Sequence, residues 1–349
     1  MVSQLTHWFG TFACAAAVFG CKPEQEGRPS LLNQPRILAI QAFPAESAPN
    51  DSVQFNVLRA SADGPVESEP LDLAFCVARK PLAEPGVIAS ACLDTSADAP
   101  IVVIPRVQPT FASIPNDACS MFGPSQPIAT PGQPPLRPVD PDTTGGYYQP
   151  LRAIDDGAVS VGFVRILCGL AGTTQDNNIA WKKRYVANTN PSISRVLYAR
   201  KDNVLATLEN SELAQFRPGE VVRFAVTWPS CGVDEPRCGD GVCRLDEDAV
   251  KCPEDCSQPY ACDGAETYTL LDPASNQLRL ARETVRVSWY VTGGTLARDT
   301  SGRTSSELER DAQNQWIAPD SVGDHWLIAV IRDDRGGVGW TARQLRVVP

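Results

Sequence analysis

The sequence predicts an all-β protein built from two tandem β-sandwich domains, and three observations lead to this fold class. Short apolar segments alternate with polar residues in the period of a β-strand, and they are separated by Pro, Gly, Asn and Asp. Proline is frequent, with 30 residues in 349, which disfavours long helices. The same turn and strand pattern also occurs once in each half of the chain.

The internal repeat is clearest in residues 49–57 and 218–226. Both read Pro, any residue, an acid, any residue, Val, a polar residue, Phe, a small or polar residue, and Val. Three further matches keep the same order along the chain: 36–39 with 195–198, 71–77 with 285–291, and 159–167 with 325–331. Chance similarity between amphipathic strands is the alternative, since such strands share this pattern. We interpret the ordered matches as duplication of one sandwich, with domain 1 over 35–191 and domain 2 over 192–349.

The last third of the chain resembles an immunoglobulin-like module of the kind common in bacterial surface proteins. The resemblance rests on the alternating strand 285–291, on its Trp289, and on the turn-forming residues 333–337 before a final strand. It implies two tandem immunoglobulin-like sandwiches. Two sets of side chains are expected to face the core of domain 2: Val285, Val287, Trp289 and Val291 on one strand, and Trp326, Ile328 and Val330 on the facing strand. Residues 176–185 are predicted to form a short helix.

The amino terminus carries a short apolar run, residues 8–19, that ends at Gly20-Cys21. The run is too short to span a bilayer, which takes about 20 residues, and it fits a secretion signal over 1–20. Residues 18–21 resemble a bacterial lipobox, which implies lipid attachment at Cys21, although no Lys or Arg precedes the run. The alternative is an ordinary cleaved signal, with Cys21 in a disulfide.

The segment after Cys21 is polar, and residues 21–34 are predicted to be a flexible tether. Lys22 stands where an Asp would be the retention signal for the inner membrane. By the same resemblance, the protein is expected at the outer membrane of a Gram-negative bacterium, with the lipid as its only membrane contact.

Cysteine usage agrees with export. The chain has 12 Cys, and removing Cys14 with the signal and Cys21 with the lipid leaves an even number. Disulfides persist in oxidising compartments, so these residues are disulfide candidates with open connectivity. They are Cys76, Cys92, Cys119, Cys168, Cys231, Cys238, Cys243, Cys252, Cys256 and Cys262.

Two insertions interrupt the predicted domains. The first, residues 79–150, is rich in proline after residue 105, and we expect a long loop with few regular elements, partly pinned by Cys92 and Cys119. Its adjacent Tyr147 and Tyr148, in the predicted hinge 145–150, are either binding-loop aromatics or anchors that pack onto the sandwich.

The second insertion, residues 231–262, contains Cys-Gly-Asp-Gly-x-Cys followed by Cys-Pro-x-Asp-Cys. This pattern resembles a small Cys-rich module of secreted proteins, which implies a disulfide-stapled appendage closed at its base by its first and last Cys. Zinc bound by four Cys is the alternative. A candidate Ca²⁺ site comprises Asp240, Asp246, Glu247 and Asp255, although the same acids also cap turns. No other cofactor is predicted.

Composition and motifs argue against several functions. The formal net charge of −10 argues against nucleic acid as a partner. The processed chain keeps one histidine, His325, and shows no nucleophile elbow, zinc-protease motif or phosphate loop. The sequence therefore favours a non-catalytic, extracytoplasmic, lipid-anchored surface protein. It would act as a structural or protein-interaction module towards an unknown protein or glycan at the cell surface.

Two other functions stay open. A carbohydrate-binding protein would use the four Trp of the C-terminal domain, Trp289, Trp316, Trp326 and Trp340, because exposed indoles stack on sugar rings. Solvent exposure of Trp316 and Trp340 separates this function from core packing. A hydrolase would use a pair of carboxylates that the sequence does not single out.

Replacement of the predicted lipid-bearing residue tests the anchor. Metabolic labelling with a fatty-acid analogue should tag the wild type and leave Cys21→Ala unlabelled, because the thiol is the acceptor. A Cys14→Ala variant, altered within the signal, is the control and should label normally. Equal labelling of wild type and Cys21→Ala would contradict the lipobox interpretation.

Overall fold

The computed structural model describes residues 28–66, 69–124, 136, 143–200, 205–209, 213–231 and 262–349. The first sandwich contains β1 (Arg36–Phe43), β2 (Glu46–Ser47), β3 (Ser52–Ser61), β4 (Gly64–Val66), β5 (Asp72–Cys76), β6 (Ile101–Val103), β7 (Thr110–Ser113), β8 (Gly146–Asp155) and β9 (Ala158–Leu167). It also holds a 3₁₀ turn (Ser90–Leu93) and helix α1 (Ala118–Phe122), and helix α2 (Gln175–Arg184) follows it. Within the described residues, no helix has the length and apolar character needed to cross a membrane.

The second sandwich follows a connecting segment, residues 186–194. Its strands are β10 (Arg195–Ala199), β11 (Leu205–Thr207), β12 (Ala214–Phe216), β13 (Val221–Thr227), β14 (Thr267–Asp272), β15 (Gln277–Arg282), β16 (Val285–Val291), β17 (Thr295–Leu296), β18 (Thr300–Arg303), β19 (Asp311–Ile317), β20 (Gly323–Arg332) and β21 (Val338–Val347). Strands β14 and β15 form a separate hairpin.

The two sandwiches share the order of their principal strands and differ in the short strands β4, β11 and β17. In the first, the β3 sheet pairs β1, β4 and β7 with β3, and it faces the β8 sheet of order β2-β9-β8-β5-β6. In the second, the β13 sheet of order β11-β10-β13-β19-β17 faces the β20 sheet of order β12-β21-β20-β16-β18. Each sandwich has one parallel pair, β2 with β9 and β12 with β21, and otherwise antiparallel pairs. This is the arrangement of an immunoglobulin-like sandwich, and it confirms the predicted fold class.

The repeated stretches occupy matching positions. Residues 53–57 lie in β3 and residues 222–226 lie in β13, the second long strand of each domain. Val53 and Phe55 are buried in one core, and Val222 and Phe224 are buried in the other. The matches of β1 with β10 and of β5 with β16 also agree with the strand order. The match of 159–167 with 325–331 is wrong, because β9 is the last strand and β20 corresponds to β8.

The predicted inward residues of domain 2 are half right. Val285, Val287, Trp289 and Val291 do face the core. On β20, however, Leu327, Ala329 and Ile331 face the core, while Ile328 and Val330 point to the first sandwich. The strand is buried on both faces, so its apolar run carries no alternation that would set the phase.

The Pro-rich segment 79–150 holds more regular structure than expected. It supplies the edge strands β6 and β7 and the first half of β8. The prediction of a hinge at 145–150 is therefore wrong, because Tyr147 is buried within β8. Short edge strands tolerate neighbouring prolines, so the proline-rich composition of this segment did not indicate β6 and β7. The predicted short helix is confirmed as α2.

The end of the predicted tether is packed rather than free. Leu32 is buried, and its backbone N–H donates to the Val291 carbonyl, while the Val291 N–H donates to Ser30. Residues 30–32 thus extend the β20 sheet beside β16. The two leucines at 31 and 32 explain this ordering, because their burial offsets the entropy of fixing the chain.

An apolar interface joins the two sandwiches. Leu38 of β1 and Leu58 of β3 pack against Ile328 and Val330 of β20. A glycine at 64 lets the indole of Trp326 approach, since a Cβ there would lie 2.3 Å from the ring, and its φ of +103° also favours glycine. Part of the outer face of one sheet in each domain is therefore covered by the other domain.

Excision of the Cys-rich insertion tests whether it is an appendage. The Cα atoms of Cys231 and Cys262 are 5.6 Å apart, so two glycines can replace residues 232–261. The variant should keep one cooperative thermal transition, shifted by less than about 4 °C, because an appendage contributes no residue to either core.

The matched control deletes the hairpin residues 267–282. Leu270 and Leu271 are buried, and Leu271 bonds to the first domain, so this deletion should destabilise the chain strongly. Loss of the cooperative transition in the insertion deletion would show that the insertion belongs to the core.

Candidate functional site

Several sequence-predicted site residues lie outside the described residues. They are Cys21, the inner cysteines Cys238, Cys243, Cys252 and Cys256, and the candidate Ca²⁺ ligands Asp240, Asp246, Glu247 and Asp255. In the part of the chain that the structure describes, no cluster of three His, Cys, Asp or Glu side chains is arranged to hold a metal ion.

Six cysteines of the described chain form three disulfides: Cys76–Cys92, Cys119–Cys168 and Cys231–Cys262. The first ties the end of β5 to the 3₁₀ turn, and the second ties α1 to the residue after β9. The third closes the base of the Cys-rich insertion. Disulfides persist in oxidising compartments, so the protein works outside the cytoplasm.

The four tryptophans of the C-terminal domain do not form a sugar-stacking surface. Trp289 and Trp316 are fully buried, and the Trp316 ring packs edge-on against Phe216 with centroids 5.5 Å apart. Trp340 lies half-buried in the interface between the sandwiches, and Trp326 packs onto the first domain. The predicted use of these indoles for carbohydrate binding is therefore wrong, because the second core and the interface occupy them.

A buried carboxylate cluster surrounds Arg335, in the turn between β20 and β21. The Arg335 Nε donates to Glu283 across 2.7 Å, its second nitrogen donates to the Val186 carbonyl across 3.0 Å, and its third pairs with Glu266. Its guanidinium also stacks on the Tyr268 ring at 4.7 Å. Arg335 thus joins this turn, the β14–β15 hairpin and the connecting segment.

A second ion pair meets the connecting segment from the first sandwich. Arg165 of β9 lies 3.2 Å from Glu46 of β2, and both side chains are sealed from solvent. Glu46 also accepts the backbone N–H of Asn188 across 2.9 Å, and the Asn188 amide reaches Asp333 beside Arg335. The connecting segment is therefore held from both domains by buried charge.

The buried network contains more acid than base. Glu46, Glu266, Glu283 and Asp333 face two guanidiniums, those of Arg165 and Arg335. Burial raises the pKa of Glu283 well above its ordinary value, against the opposing effect of Arg335. Burial likewise raises the pKa values of Glu266 and Asp333.

Perturbed carboxyls often mark active sites, but this cluster is structural. The side chains of Glu266 and Glu283 have no exposed surface, so a substrate has no path to them. His325, the remaining candidate for acid–base chemistry, is half-buried against Gly293, and its Nε2 lies 3.5 Å from the Ser321 carbonyl. The cluster does not supply the accessible carboxylate pair that a hydrolase would need.

A cleft of about 800 Å³ opens where the first sandwich meets the second. Residues 37–40 of β1, residues 160–163 of β9 and Tyr148 of β8 contribute to its lining. The rings of Tyr148 and Phe163 meet edge to face at 6.4 Å. Helix α1 and the turn that carries Arg335 close the ends. Ligand sites commonly have this size, aromatic lining and position between domains.

The cleft is cationic although the protein is acidic. Arg79, Lys80 and Arg332 contribute to its lining, and Asp333 is the one acid among the described residues that line it. Asp333 accepts the backbone N–H groups of Arg335 and Gly337, each at 2.8 Å, so its charge is directed into the turn. Apart from Tyr147 and Tyr148, sequence reasoning missed this site, because its residues come from seven separate segments with no shared motif.

Within the described residues, the first half of β9 has no strand paired on the side away from β8. On the side away from β8, β9 pairs in the described structure with β2 through Glu46 and Ser47 alone, at Arg165 and Ile166. Residues 160–163 line the cleft beyond that pair. An unpaired edge can accept an extended peptide by backbone hydrogen bonds.

Comparisons with known proteins do not identify a family. No family model matches the chain, and no curated protein matches it. Among solved structures, it aligns with the Clostridium thermocellum CbhA fibronectin(III)-like modules at 10% identity, covering 90% of this chain and 94% of that one, with a TM-score of 0.20. The Yersinia pseudotuberculosis adhesin InvE aligns at 10% identity over 88% of this chain and 58% of its own, with a TM-score of 0.21.

The C-terminal domain of the Streptococcus pyogenes antigen I/II-family protein AspA aligns at 9% identity, over 90% of this chain and all of that domain (100%), with a TM-score of 0.23. At these TM-scores, the alignments bear on neither the site nor the function.

A pH series on Glu283→Gln tests the buried network. A folded pKa above the unfolded value means that the stability from this carboxyl is fully present below about pH 4.3 and is lost as pH rises through the folded pKa. Gln does not titrate. The deficit of Glu283→Gln in the free energy of unfolding should therefore be largest near pH 4.5 and shrink towards pH 8, as measured by urea unfolding.

Asp324→Asn is the control of opposite sign. A hydrogen bond from Arg346 lowers the pKa of the exposed Asp324, so its contribution is present at neutral pH and is lost as pH falls. The deficit of Asp324→Asn should therefore appear only above its folded pKa. A Glu283→Gln deficit that grows with pH would overturn the assignment of a raised pKa.

Proposed function

We propose that the chain is an exported, non-catalytic protein-interaction module, held at the outer membrane of a Gram-negative bacterium by a lipid on Cys21. In this proposal, the cleft between the sandwiches binds an extended, acidic segment of a partner protein. The observation that carries the proposal is the cationic, aromatic-lined cleft beside a strand edge that no described strand pairs, in a chain of net charge −10.

The chemistry of the cleft favours a peptide of this kind. This edge of β9 supplies backbone donors and acceptors to an added strand, which gives affinity without sequence preference. Tyr148 and Phe163 supply apolar contact area. Lys80 and Arg79 at the cleft attract carboxylates and disfavour basic segments, which supplies selectivity.

Two further features support the proposal. The buried ion network and the apolar interface fix one domain against the other, so the cleft is formed before a partner arrives. The disulfides agree with a position outside the cell, where an outer-membrane lipoprotein would meet its partners.

Peptide display on the purified chain tests the occupant of the cleft. Selected peptides should be enriched in Asp and Glu beside aromatic or aliphatic residues. Their binding should weaken as salt rises from 50 to about 500 mM, because exposed charges are screened over a few ångström at high ionic strength. Lys80→Glu should weaken binding about tenfold, mainly through the association rate.

Phe163→Ala should also weaken binding, because it removes part of the apolar wall. The control is Leu308→Ala, which removes another exposed apolar side chain, outside the cleft, and should bind like the wild type. Selected peptides without acidic enrichment, or peptides whose binding Lys80→Glu leaves unchanged, would contradict the proposal.

A further inference from the structure

The outer face of the β3 sheet carries two exposed phenylalanines in one row. Phe43 of β1 is 63% exposed and Phe111 of β7 is 47% exposed. Both are paired with the same residue of β3, since Phe43 lies opposite Gln54 and Gln54 lies opposite Phe111. Directly opposed residues of antiparallel strands place their side chains on one face, and the outer strands of three are about 10 Å apart. The rings therefore flank the Gln54 amide on one face of the sheet.

A chain of amides holds the polar part of this face in place. The Gln54 amide donates to Asn56 across 3.1 Å, and the Asn56 amide donates to Gln41 across 3.0 Å. Gln41 in turn donates to the Val338 carbonyl of the second sandwich across 2.5 Å. A carboxamide has two N–H donors and two acceptor lone pairs, so each side chain keeps capacity for a ligand while its orientation is set. Amides held in this way lose little entropy when a ligand binds.

The described side chains of this face are neutral, which sets them apart from those that line the cleft. Side chains two residues further along β3 and β7 lie on the same face. They are Ser52 and Ser113, which are paired with each other. The described side chains placed on this face by the register supply rings, amides and hydroxyls and no ionised group. The face suits a neutral ligand with apolar C–H surfaces and many hydroxyls, and it gives no attraction to an acidic or basic partner.

We infer that this face binds a neutral polysaccharide chain, with Phe43 and Phe111 stacking on two of its sugar rings. The electron-rich face of an aromatic ring attracts the C–H bonds of a sugar face, and the amides of Gln54 and Asn56 bond its hydroxyls. Two rings set two strand spacings apart suit a linear chain that presents successive sugar faces on one side. The site lies in the first sandwich and uses none of the tryptophans of the second.

Affinity electrophoresis tests the inference with defined probes. Native gels would contain hydroxyethyl cellulose, galactomannan or soluble starch as neutral polysaccharides, and alginate as an anionic one. The wild type should be retarded by at least one neutral polysaccharide and not by alginate. Phe43→Ala and Phe111→Ala should each weaken the apparent affinity by about tenfold or more, as is usual for central aromatic contacts.

Matched variants separate this site from other causes. Phe111→Tyr keeps the ring and should retain retardation. Phe163→Ala in the cleft and Leu308→Ala should both behave like the wild type, so failure here is distinguishable from failure of the peptide-binding proposal. Thermal unfolding of the Phe variants should match the wild type, because both rings are largely exposed.

Three outcomes would overturn the inference. Absence of retardation by every neutral polysaccharide would remove the ligand class. Equal retardation of the wild type and the Phe43→Ala, Phe111→Ala double variant would place any glycan site elsewhere. Capture of a protein through Phe43 and Phe111, without glycan binding, would make this face a protein interface.

Discussion

The arrangement of the two domains depends on the buried guanidinium of Arg335. This group reaches the connecting segment at Val186, the hairpin through Glu283, and Glu266, which itself accepts the backbone N–H groups of Thr189 and Cys262. One side chain therefore links the last turn of the second sandwich to the base of the Cys-rich insertion and to the segment that leaves the first sandwich. The position of that turn also sets one end of the cleft.

Buried ion pairs contribute little net stability, because desolvation opposes their attraction. The apolar contacts between β1, β3 and β20 provide the favourable free energy of the interface, but they are compatible with many small displacements. The charged network is not compatible with such displacements, because a shift would leave Glu283 or Glu46 buried without its guanidinium. The two kinds of contact therefore have different roles, one in cohesion and the other in fixing a single orientation.

Both proposed binding surfaces rely on this rigid frame in different ways. The cleft needs both domains, since β1, β9 and the turn of the second sandwich contribute to its lining. The Phe43 and Phe111 face needs one sheet alone, although its amide chain ends on Val338 of the second domain. Sheets hold side chains at fixed spacings, so a row of aromatics on a sheet is better positioned than one on a loop. Under the two proposals, one module would hold both an acidic peptide and a neutral glycan.

The sequence by itself determined the fold class, the repeat of β3 in β13, and the inward face of β16. Each of these follows from alternation within one strand, which is local information and is clear where a single face is buried. The sequence could not show which residues of β20 face the core, because that strand is buried on both faces. It could not reveal β6 and β7, which exist through pairing with distant strands.

Tertiary structure alone decided the proposed binding surfaces and the buried charge network. Glu46 and Arg165, or Arg335 and Glu266, are far apart in the chain, and no local pattern marks such charges as partners. Phe43 and Phe111 become a row only because β1 and β7 both pair with β3 at Gln54. In the sequence, Trp316 and Trp340 were equally suited to sugar binding and to core packing. The structure buries Trp316 in the second core and packs Trp340 into the interface. Removing a large apolar ring from water favours both positions.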